Sequence, residues 1–110
     1  MAEAEAKEIK AVAMTEEEIL NKVIKSLGLT VEFHKDIIEP FFEEVKFFLL
    51  GAGVPEKVVL SSASVGVLIR GVSDLWNYGT GNASLSPYFK ERVIQLTTNN
   101  IVVEEAADNG

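Results

Sequence analysis

Between Thr15 and Leu96 apolar residues recur at steps of three and four, and each run is bracketed by residues that start and stop helices. A chain with this pattern buries its apolar side chains by packing helices against one another. Thr15-Glu16-Glu17-Glu18 is a capping box: the threonine hydroxyl can accept the Glu18 N–H while the Glu18 carboxylate reaches back to the cap. Three carboxylates in that first turn also face the positive end of the helix dipole. Ile19, Leu20, Val23, Ile24 and Leu27 then form one stripe, and Gly28 supplies a left-handed stop, with Leu29 able to fold back on the last turn.

A second helix is expected over Phe33 to Leu50, with Ile37, Ile38, Phe41, Val45, Phe48 and Leu49 on its buried face. Phe42 and Phe47 fall outside that stripe, so this helix is apolar over more than a third of its circumference. Pro40 cannot donate to Asp36 and predicts a kink or restart. Gly51-Ala52-Gly53 ends the helix, and Val54-Pro55-Glu56-Lys57 leads into a short helical turn. A third helix, Ser62 to Tyr78, carries Val65, Leu68, Ile69, Val72 and Trp76 on one stripe and Val67 and Leu75 on a second, which makes it the expected centre of the bundle. Gly66 and Gly71 each cost about 1 kcal/mol against alanine inside a helix, a cost that close approach of another helix would offset. After the Gly79-Thr80-Gly81-Asn82 loop, Ser86-Pro87 opens a last helix through Phe89, Val93 and Leu96 to about Thr98.

The ends differ from this centre. Residues 2–13 are mostly alanine, glutamate and lysine, which favours helix, although so short a segment is marginal without packing. Residues 99–110 hold one β-prone run, Ile101-Val102-Val103, before acidic low-complexity sequence, and are expected to lie outside the core. The expected fold class is therefore all-α: a small bundle of about four helices over 14–98, a flexible N-terminal extension over 1–13 and an extended C-terminal tail over 99–110.

Composition narrows function. The 110 residues contain 17 acidic and 10 basic side chains, a formal charge of −7, with no cysteine and one histidine. Thiol nucleophiles, disulfide scaffolds and cysteine-ligated metals are excluded, and sequence-specific nucleic-acid binding is disfavoured by the sign of the charge. No apolar run approaches the length of about 20 residues that a membrane helix needs, and the N-terminus lacks the pattern of a signal peptide.

Residues that could carry chemistry have simpler roles. Glu16-Glu17-Glu18 and Glu43-Glu44 are explained as a cap and a solvated face, and His34 beside Glu32, Lys35 and Asp36 as a surface histidine. Gly79-Thr80-Gly81 lacks the strand, helix and lysine of a phosphate loop. The serines include no Asp-Ser-Leu carrier-attachment motif. No catalytic, metal or cofactor residue is assigned, and the chain is not expected to be an enzyme. The most distinctive segment is Arg70 to Tyr78. Arg70 and Asp74, four apart, can pair along the helix beside a core Trp76. Alternatively, Arg70, Asp74, Trp76 and Tyr78 form a cluster presented to a neighbouring subunit, since arginine and aromatics dominate interface hot spots.

Val65-Gly-Val-Leu-Ile-Arg-Gly-Val-Ser-Asp-Leu-Trp-Asn-Tyr-Gly79, followed by Leu85-Ser-Pro-Tyr-Phe-Lys-Glu-Arg-Val-Ile-Gln-Leu96, resembles the gp6-like head–tail connector family of tailed bacteriophages and prophages. The order of earlier elements, through Phe47-Phe-Leu-Leu-Gly-Ala-Gly53 and Val54-Pro55, agrees from about Thr15 onward. The resemblance implies a non-catalytic helical subunit of the virion head–tail interface, assembled in the bacterial host cytoplasm. It implies a homo-oligomeric ring, typically a dodecamer, that sits on the portal protein, extends the DNA channel and receives a downstream stopper or tail-joining protein. Packaged DNA passes through without sequence-specific binding, and no membrane is involved.

A closed ring needs head-to-tail interfaces, which suits a helix that is apolar on two faces. About twelve copies would place a charge on the order of −80 around a channel whose walls must not hold DNA. The Ile101-Val102-Val103 run could add a strand to the sheet of the portal or a neighbour. The other function compatible with this sequence is a small acidic helical adaptor or regulatory module that binds one host protein.

Overall fold

The computed structural model describes residues 8–77 and 84–105. In chain order these form β1 (Glu8–Val12), α1 (Glu16–Ser26), α2 (Val31–Gly51), α3 (Glu56–Val59), α4 (Val65–Asn77), α5 (Pro87–Thr98) and β2 (Asn100–Glu104).

Helix boundaries follow the local chemistry. Both halves of the capping box form at α1, where Glu18 N–H donates to Thr15 Oγ1 at 3.1 Å and Thr15 N–H donates to the Glu18 carboxylate at 2.9 Å. At its other end Gly28 takes φ +79°, Gly28 N–H donates to Lys25 O and Leu29 N–H to Ile24 O, the paired bonds of a Schellman stop. The same geometry closes α2, with Gly53 at φ +102° and Val54 N–H donating to Leu49 O. Ser86 caps α5 by accepting from Phe89 N–H at 3.1 Å, with Pro87 in the first turn. Thr30 makes no side-chain cap for α2; its N–H instead lies 3.2 Å from His34 Nδ1, which gives the single histidine a local structural role.

The core lies where α4 meets α1, α2 and α5. Ile19, Ile24, Ile38, Phe42, Leu49, Leu68, Val72 and Phe89 are among its fully buried members. Gly71 marks the tightest approach. A Cβ built there would sit 2.6 Å from both Val45 Cγ1 and Phe89 Cε1, so α4 passes α2 and α5 at a distance only glycine allows. Gly66 has open space instead, and no close approach offsets its helix penalty.

The expected all-α class does not hold. β1 and β2 pair in parallel, Glu8 with Asn100 through Val12 with Glu104, so the fold is mostly helical with a two-stranded sheet joining the chain's ends. The helix-favouring composition of 2–13 is overridden at Glu8–Val12 by pairing with a β-branched run far along the chain. Within the tail, Ile101 and Val103 are half-buried and pack against the core without belonging to its buried set. The Ile101-Val102-Val103 strand, expected to seek another protein's sheet, already has β1 along one edge. β1 is further tied to the corner before α4, where Val12 and Ser62 exchange two bonds and Met14 N–H donates to Leu60 O at 3.0 Å.

The register of α2 also differs from expectation. It is continuous across Pro40, and its buried residues are Ile38, Phe42, Val45 and Leu49. Phe42 is core, while Ile37 and Phe48 are exposed. The third helix begins at Val65, and both of its expected stripes are covered, because Val67, Leu68, Val72 and Leu75 are all buried.

Candidate interaction surface

Arg70, Asp74 and Trp76 lie along the C-terminal half of α4. Asp74 is 4% exposed. One carboxylate oxygen accepts Ser86 N–H at 3.0 Å, and the other lies 3.3 Å from Arg70 Nε. A buried carboxylate needs such donors, and this one fastens the start of α5 to α4. Arg70 is half exposed and its guanidinium lies over the Tyr88 ring, 5.6 Å from the centroid. Trp76 is half-buried and meets Phe41 of α2 edge-on, with centroids 6.2 Å apart. The structure thus brings Arg70 and Asp74 together with Ser86 and Tyr88, and sets Trp76 against α2. Tyr78 lies outside the described residues. Ile101, Val102 and Val103 are half-buried in β2, apart from the α4 cluster in the sequence of elements.

The larger surface feature is on α2. Phe33 and Phe47 are 74% and 76% exposed, and Ile37, Phe48 and Leu50 are exposed as well. At about 100° per residue, Phe33, Ile37, Phe47 and Phe48 fall within an arc of about 100°. The buried residues Ile38, Phe42, Val45 and Leu49 occupy the opposite side. Phe33 and Ile37 lie at one end of this arc and Phe47 and Phe48 at the other, about 20 Å along the helix, with Pro40 and the exposed Glu44 between them. Phe47, Phe48, Gly51 and Ala52 line a shallow depression of about 360 Å³ at its C-terminal end. Each end of the arc thus exposes two large apolar side chains, a pattern more frequent at contact surfaces than on solvated helix faces. Sequence periodicity carried the signal in the excess apolar circumference of this helix, but not the phase that separates core from surface.

The paired carboxylates have structural partners. Lys46 Nζ contacts Glu16 and lies 3.0 Å from Glu43, joining α1 to α2. Burial lowers the Lys46 pKa from its ordinary 10.5, against the opposing pull of Glu56. Ser61 and Ser64 are fully buried and donate to Val58 O and Val59 O, so they brace the α3–α4 corner. Among the described residues, no group of histidines and carboxylates is placed to hold a metal, and no helix is long and apolar enough to cross a membrane. Comparison with protein-family models, with curated proteins and with solved structures finds no match to this chain.

Proposed function

We propose that the chain is a structural subunit of a phage head–tail connector, which assembles as a ring on the portal protein, extends the DNA channel and offers a platform to a downstream stopper or tail-joining protein. The observation that carries this proposal is the second apolar face of α2. It gives a 110-residue domain two exposed apolar patches, Phe33 with Ile37 and Phe47 with Phe48, on the side of α2 away from its own core. In a ring, each copy meets its two neighbours through different patches, and a long helix apolar on two sides satisfies the core with one and a neighbour with the other. The resemblance over Val65–Gly79 and Leu85–Leu96 supports the connector class in particular. The charge of −7 per copy suits a channel wall that DNA passes without adhering.

The test is co-expression with the portal protein of the same phage or prophage, followed by mass measurement and electron microscopy. A ring of about twelve copies on the portal is the expected result. Phe33→Asp with Phe47→Asp should abolish the ring while leaving thermal unfolding of the monomer within about 1 kcal/mol of the parent, because both side chains are exposed. A stable one-to-one complex with a host protein, and no ring, would instead support an adaptor.

A further inference from the structure

Among the described residues, β1 and β2 form a two-stranded sheet in which no further strand pairs with the outer edge of β2. Register places Ile9, Ala11, Ile101 and Val103 on one face, where Ile101 and Val103 meet the core, and Lys10 and Val102 on the other. Parallel sheets are otherwise found almost wholly covered, and two strands alone are marginal.

The direction of the backbone groups follows from one bond. Ala13 N–H donates to Glu104 O at 2.7 Å, so odd-numbered residues of β1 face even-numbered residues of β2. Ile101 and Val103 therefore turn their N–H and C=O groups away from β1, and among the described residues these groups have no backbone partner. The outer edge of β1 is protected, since Val12 bonds to Ser62 and Glu8 and Lys10 line the rest with charge. The edge of β2 has isoleucine and valine there and, among the described residues, no backbone bond like that of Val12 to Ser62, while α3 packs against the strand.

A groove of about 450 Å³ lies on the core-facing side at the end of the sheet, lined by Val103 of β2, by Ala13, Met14 and Leu60, and by Glu56 and Lys57 of α3. Glu104 and Glu105 stand at the end of the strand, so carboxylates outnumber ammonium groups around the site.

We infer that the outer edge of β2 receives an extended, β-branched segment of a partner protein flanked by basic residues. The segment adds a third strand and lays one apolar side chain in the groove. Its lysines or arginines meet Glu56, Glu104 and Glu105. The chain's own ends are poor occupants: residues 1–7 and 106–110 contain no β-branched residue and each segment is net acidic in its side chains. A second copy would bring another −7 to an acidic edge. The edge binds in this way whether or not the chain builds rings.

The probe is a peptide of alternating valine and threonine with lysines at both ends, titrated to millimolar concentration against the full chain and read by amide exchange and NMR shifts. Binding should raise protection of the Ile101 and Val103 amides about tenfold or more. N-methylating alternate peptide bonds, or replacing the lysines by glutamate, should weaken binding about tenfold, the loss of one or two hydrogen bonds or a charge contact. Val103→Pro removes an outward N–H and spares the bonds to β1, so it should weaken binding equally while the Ala11 and Val102 amides keep their protection. No binding, binding indifferent to N-methylation, or shifts centred on α2 would overturn the proposal. So would a peptide-free dimer that Val103→Pro dissolves, since that would make the occupant a second copy.

Discussion

Alanine at Gly71 and alanine at Gly66 are the same substitution five residues apart in one helix, and they should change stability in opposite directions. At Gly71 the new Cβ meets Val45 Cγ1 and Phe89 Cε1 at 2.6 Å and Phe89 Cδ1 at 3.1 Å. Carbon atoms rest at about 3.5–4.0 Å, so two contacts overlap by about 1 Å. Val45 and Phe89 are fully buried and cannot move into solvent. Overpacking of this kind costs about 3 kcal/mol, the helix preference of alanine returns about 1, and the net loss is about 2 kcal/mol. Gly66 is the second residue of α4 and nothing lies within 4 Å of its Cβ position, so only the preference acts, weaker in a first turn than mid-helix, and the variant gains up to about 1 kcal/mol. Urea unfolding followed by circular dichroism should separate the two variants by about 2–3 kcal/mol. A Gly71→Ala protein as stable as the parent would refute the close passage of α4 against α2 and α5.

Asp74→Ala should cost about 1–3 kcal/mol, because it strips the part-buried Ser86 N–H of its acceptor and Arg70 of its ion pair, while Arg70→Ala should cost less, about 1 kcal/mol, because Arg70 is half exposed and Asp74 keeps the Ser86 N–H as a donor; equal losses in urea unfolding would contradict this division. Lys46 binds its proton less tightly folded than unfolded, so between its lowered pKa and 10.5 the unfolded state holds more protons and stability rises with pH. Lys46→Met should lack that rise, and a stability difference between the two proteins that stays flat from about pH 8 to 11 would contradict the direction of the shift.

The parts of the fold set by short-range chemistry were readable before any coordinates. Thr15 and Glu18 reciprocate, Gly28 takes the left-handed stop, and Ser86-Pro87 opens α5 with Phe89, Val93 and Leu96 inward. Gly71 announced its close contact through the helix penalty it carries, though Gly66 gave the same signal without one. What sequence alone missed depended on distant partners. Glu8–Val12 has the composition of a helix and becomes a strand only because Asn100–Glu104 lies beside it. On α2 the apolar residues span so much of the circumference that periodicity cannot choose the inward side, and packing against α1 and α4 selects Phe42 over Phe48. Of the Arg70–Tyr78 cluster, the ion pair was legible from spacing of four, whereas the Asp74 bond to Ser86 joins residues twelve apart and left no local trace.

In the proposed connector, the outer face of α2 joins copies of this chain into a portal-bound ring. Electron microscopy of the portal complex, at a resolution that places helices, tests it directly. The expected map shows a closed ring in which Phe33 and Phe47 are covered by the adjacent copy; a ring whose contacts leave α2 in solvent, or a portal that recruits no copies, would refute the proposal.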